Sequence, residues 1–174
     1  MGEAFRVILL IGLAAAALTT GALMLNWWME PERRLRRAML KSLGRPAETE
    51  ALSPLEGKAA GLDFSGGQIA VLWSNGADGL VFAFDEVEGA EMIVDGHVVA
   101  RVRRGETRKS LDVMAPEASE VTLRLMFLDP RWPEFELALW NSGTATQTVG
   151  SAASPPEALR LGRRWLSHVE ALLR

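Results

Sequence analysis

The chain of 174 residues has no cysteine and no tyrosine, and its only histidines are His97 and His168. Without cysteine there is no disulfide framework, thiolate nucleophile, cysteine-ligated zinc or iron–sulfur cluster. His168 has no second ligand three or four residues on, so it reads as structural. A glycine-rich nucleotide loop, a nucleophile elbow and a zinc motif are all missing. Lysine is scarce too, three against sixteen arginines, a compositional bias that says nothing about mechanism. These absences leave no expected catalytic residue, no expected metal or cofactor, and no expectation of an enzyme.

What is present is enough for one folded domain with a segment to spare. Apolar residues make up 48% and charged residues 24%, which excludes wholesale disorder. The net charge is −3, but it is unevenly spread. Residues 30–45 carry six basic side chains against Glu30 and Glu32, while the acidic excess lies in 46–174. A domain of that sign repels phosphate over most of its surface, so no nucleic-acid partner is expected.

From Val7 to Trp28 run 22 residues without a formal charge. At helical rise they extend about 33 Å, enough for a hydrocarbon core of about 30 Å. Residues 1–29 are therefore expected to be a transmembrane anchor, with Trp27 and Trp28 in the headgroup zone. Thr20-Gly21-Ala22 offers a signal-peptidase-like site, but the apolar stretch continues past it. The basic cluster after the span predicts a single-pass protein of the bacterial inner membrane, N-terminus outside and C-terminal domain in the cytoplasm.

Residues 30–45 read as a basic juxtamembrane helix. Pro31 suits its first turn, Gly44 its cap, and Leu35, Ala38, Met39 and Leu43 recur on one face. Arg33, Arg34, Arg36, Arg37 and Lys41 are expected at the membrane interface, against anionic lipid. Residues 46–57, rich in Pro, Ser, Thr and Glu, read as a linker.

Beyond residue 58 the period becomes two. Ile69, Val71 and Trp73, then Leu80, Phe82 and Phe84, then Val121, Leu123, Leu125 and Phe127, alternate with smaller or polar neighbours. Asp95-Gly96 is a hairpin signal joining strands near 89–94 and 97–103. About seven short antiparallel strands are expected, as a sandwich or open barrel. A helix opened by Ser154, Pro155 and Glu157, with Leu159, Trp165, Leu166 and Val169 on its stripe, is expected to cap it. The fold class is thus mainly β with α: an N-terminal transmembrane helix, then the capped seven-stranded unit over 58–173.

The acids Asp85, Glu86, Glu88, Glu91 and Asp95 read as a solvated face more readily than as a metal site. Arg101 and Arg103 share a strand face and, with Trp132 and Trp140, form a candidate partner surface. Pairing of those arginines with acids on the neighbouring strand is the competing reading.

The segment FAFDEVEGAEMIVDGHVVARV (82–102), within this order of strands and a final helix, resembles the bacterial pleckstrin-homology-like domains. That resemblance implies binding or scaffolding. Together these readings point to a membrane-anchored cytoplasmic domain that holds a protein partner or a lipid surface. The alternative is an accessory subunit of a larger membrane complex, assembled through its transmembrane helix.

Overall fold

The computed structural model describes residues 2, 12–13, 15–21, 30–110, 117–144 and 152–174. Residues 12–13 and 15–21 are helical; after them come α1 (Pro31–Leu43), β1 (Thr49–Ser53), β2 (Lys58–Asp63), β3 (Gln68–Trp73), β4 (Asp78–Ala83), β5 (Val87–Val94), β6 (His97–Arg103), β7 (Lys109–Ser110), β8 (Glu120–Phe127), β9 (Glu134–Asn141) and α2 (Pro155–Leu172).

The strands form two antiparallel sheets. The first is a four-stranded meander in the order β1-β2-β3-β4. The second has five strands in the order β7-β6-β5-β8-β9. The inner face of the first sheet presents Ala51, Ala60, Leu62, Ile69, Val71 and Phe82 to a core shared with the second sheet and with α2. Trp165, Leu166 and Val169 of α2 are fully buried in that core. Each large side chain taken from water there is worth about 1.5–3 kcal/mol.

The outer face of the first sheet is covered as well. Leu35, Met39 and Leu43 of α1 pack on Leu52, Ala59, Ala70 and Leu72. Cover on both sides explains why β2 and β3 are buried along nearly their whole length instead of at alternate positions. Turn chemistry fixes the hairpins. Asp95 and Gly96 both take positive φ, 47° and 79°, as a two-residue turn matched to strand twist requires.

Several expectations are corrected. Among the described residues no helix is long and apolar enough to cross a membrane. The single-pass anchor, the inner-membrane placement and the fold class that began with a transmembrane helix are overturned by this. Most of Val7–Trp28, including Trp27 and Trp28, lies outside the described residues. The β-unit is also larger than seven strands, with nine in two sheets that no strand pairing closes into a barrel among the described residues.

One boundary moves with it. The expected linker 46–57 contains β1, held by a five-residue register from Thr49↔Leu62 to Ser53↔Lys58. The apolar stripe of the basic helix, Leu35, Met39 and Leu43, is taken up by the sheet, while Leu40 stays exposed. Its arginines and Lys41 stay on the exposed side.

Candidate functional site

The first sheet ends at β4, whose far edge has no strand partner among the described residues. Register decides what that edge offers. The Phe84 N–H donates to the Gly67 carbonyl at 3.0 Å, one step beyond the Gln68↔Ala83 pair. Antiparallel pairs alternate between bonded and non-bonded. Phe82 and Leu80 therefore bond to β3, whereas the backbone groups of Gly79, Val81 and Ala83 point away from it. The Ala83 N–H is accepted by the Glu86 carboxylate at 2.7 Å, in agreement with that direction. Among the described residues, the N–H and C=O of Gly79 and Val81 are left as a short, open ladder.

Behind this edge, the two sheets part into a cleft of about 320 Å³. Leu80 and Phe82 of β4, Trp73 of β3, Phe127 of β8, Phe135 of β9 and Trp132 line it. The Trp73 and Trp132 rings lie 5.1 Å apart, and Phe82 stacks on Phe127 at 4.0 Å. Such pairs hold the walls by about 0.5–1.5 kcal/mol beyond burial. At the rim, the Lys58 ammonium donates to the Glu136 carbonyl at 3.1 Å.

Trp132 is carried on a stiffened turn. Its N–H donates to the Asp129 carbonyl at 3.0 Å. Arg131 donates to the Asp129 carboxylate from its backbone N–H and twice from its guanidinium. Those bonds, the guanidinium ones foremost, hold the Asp129 carboxyl below its usual range and raise Arg131. Beneath the rim, Arg124 binds Glu136 at 2.6 Å and Glu91 at 3.1 Å. The hydrogen bond to Glu136 is the main reason the Arg124 guanidinium is raised, against the opposing effect of burial.

The sequence candidates do not converge on one surface. Trp132 stands at the cleft, 46% exposed. Trp140 lies at the other end of β9, half-buried, its indole N–H donating to the Ala118 carbonyl at 3.2 Å. Between them the strand from Glu134 to Trp140 alone extends about 20 Å. Arg101 binds Glu106 at 2.9 Å and Arg103 binds Glu88 across the hairpin at 3.1 Å. Arg33, Arg34, Arg36, Arg37 and Lys41 lie along α1 on the outer side of the first sheet. The acids of 85–97 disperse: Glu88 and Glu91 are paired, and Asp95 accepts the Ser119 and Glu120 N–H groups at 2.9 Å. Among the described residues no three metal-binding side chains come together.

The cleft residues other than Trp132 went unrecognised as a site because their alternation reads as core. Phe82 and Phe127 are indeed buried. What the pattern could not show is that the core is open at their end. No protein-family model matches the chain, and no curated protein or solved structure matches it either, so the functional reading rests on this geometry.

Proposed function

We propose that this chain is a binding module whose partner is an extended, apolar segment of another protein, added to the β4 edge with side chains entering the aromatic cleft. The observation that carries the reading is the open backbone ladder at Gly79 and Val81 directly beside the cleft. Strand addition uses such a ladder for affinity and alternate pockets for specificity. Leu80 and Phe82 face the cleft while Val81 faces the other side, so every second residue of an incoming strand lies over the cleft.

Charge selects among such segments. Asp78 and Asp85 flank β4, are exposed, and make no ion pair among the described residues. They favour a segment with Lys or Arg at its ends. Four backbone bonds at about 0.5–1.5 kcal/mol each and one buried apolar side chain favour micromolar binding or weaker, once ordering costs are met. This is a binding role, not a catalytic one, and it agrees with what the pleckstrin-homology-like resemblance implies.

Selection of a displayed random-peptide library on the full chain tests the proposal. The expected winners alternate apolar residues between basic flanks. Val81→Pro removes only an outward N–H, which an edge strand tolerates. It should weaken binding at least tenfold with the melting temperature held. Winners without apolar alternation, or winners indifferent to Val81→Pro, would refute the strand-addition reading.

A further inference from the structure

On the opposite side of the first sheet, Arg34, Arg37 and Lys41 follow one another at steps of three and four along a single face of α1. With Asn75, Gly76 and Ala77 of the β3–β4 turn they line an open basin of about 460 Å³. Among the described residues no carboxylate lines it. Four acids near α1 are engaged elsewhere: Glu30 with Arg33 at 2.8 Å, Glu32 and Glu50 with Arg36 at 2.9 and 3.0 Å, and Asp63 with Arg45 at 3.3 Å. Arg34 and Lys41 make no ion pair among the described residues. Arg37 donates from Nε to the Arg33 carbonyl at 3.2 Å, which steadies its guanidinium on this face.

The far wall is pressed close to the helix. Gly76 has φ 80°, and a Cβ there would lie 2.6 Å from the Ala38 methyl, so only glycine lets the turn approach α1 this far. The basin is thus a cationic hollow, its backbone walls set by this close approach, on a chain whose net charge is −3. Like charges gathered on one helix face repel each other, and an anion held between them removes the repulsion.

We propose that this basin is an oligophosphate site. Arg34 and Lys41 are seven steps apart, about 10 Å of helix, which suits a run of two or three phosphates better than a single one. Guanidinium forks match phosphate oxygens bidentately, and the Lys41 ammonium adds a mobile point charge. Ala38 and Ala77 are the apolar members of the lining, with no ring on which a base would stack. The phosphate chain itself is recognised and whatever carries it is not.

Isothermal titration of the full chain with sodium tripolyphosphate, ATP and inorganic phosphate tests this. Tripolyphosphate and ATP should bind within threefold of each other, and inorganic phosphate at least tenfold more weakly. The double variant Arg34→Ala/Lys41→Ala should lose at least tenfold in tripolyphosphate affinity at unchanged melting temperature, while Arg160→Ala on α2 changes nothing. Flotation with phosphatidylglycerol vesicles separates the sources. Vesicle binding that tripolyphosphate competes away assigns the site to a lipid headgroup, and absence of vesicle binding assigns it to a free ligand; both keep the site. No tripolyphosphate binding, an equal loss in Arg160→Ala, or vesicle binding through Arg34 and Lys41 that tripolyphosphate does not displace would overturn it.

Discussion

Gly89 and Gly162 are two glycines in packed elements, and the structure gives them different tolerances. A Cβ on Gly89 of β5 would run into the Val102 carbonyl oxygen, with Met126 and Arg103 side chains at 3.0 and 3.1 Å. Backbone in a paired strand cannot step aside. Gly89→Ala is therefore expected to cost about 1–3 kcal/mol, the range for overfilling a packed site. A Cβ on Gly162 of α2 would instead meet the Met92 sulfur at 2.6 Å, and a thioether can swing away. The helix gains about 1 kcal/mol from alanine over glycine, so Gly162→Ala should come out milder. Urea denaturation of both variants checks the order, and a Gly89→Ala chain as stable as the parent would contradict it. At this scale the sequence was partly legible. The pairing of Arg103 with Glu88 follows from opposite charges on adjoining strands, whereas Arg124 between Glu91 and Glu136 needed the β5-β8-β9 register.

Among the elements, those whose local chemistry dictates their shape were legible. Asp95-Gly96 forces its turn, and Val121, Leu123, Leu125 and Phe127 are buried as their alternation predicts. β1 escaped because TEALS has neither alternation nor β-branched bulk beyond Thr49, and it becomes a strand through its pairing with β2 and cover from α1. The helix α1 was legible as a helix, but periodicity names a stripe without naming what lies against it. Sheet rather than lipid covers Leu35, which is fully buried. Leu35→Ala should then cost about 2–5 kcal/mol as a cavity in a protein core. The measurement is denaturant unfolding followed by tryptophan fluorescence. A loss below about 0.5 kcal/mol would mean that α1 docks only loosely.

The whole molecule sets its two candidate sites back to back. Val71, Trp73, Leu80 and Phe82 face the cleft, whereas Ala70 and Leu72 face α1 and the side on which the basin lies. A sheet held between two layers transmits little unless it bends, and each ligand touches a different layer. Occupants of the cleft and the basin should therefore bind without competition. Saturating tripolyphosphate is expected to change the affinity of a selected peptide by less than about twofold, within the scatter below which no coupling energy of note exists. Competition in that assay would mean that one ligand covers both faces. The fold positions both candidate sites through features that one-dimensional patterns do not carry: which edge stays open, and which side of a strand meets a helix.

The acidic ends of β4 have a further consequence. An uncapped strand edge is a template for its own copy, and crowding two such chains together invites fibre-like growth. An antiparallel twin centred on Val81 would bring Asp78 of one chain near Asp85 of the other, at both ends of the pair. The carboxylates proposed to select a cationic guest thus also set like charges against such a pairing of the chain with itself.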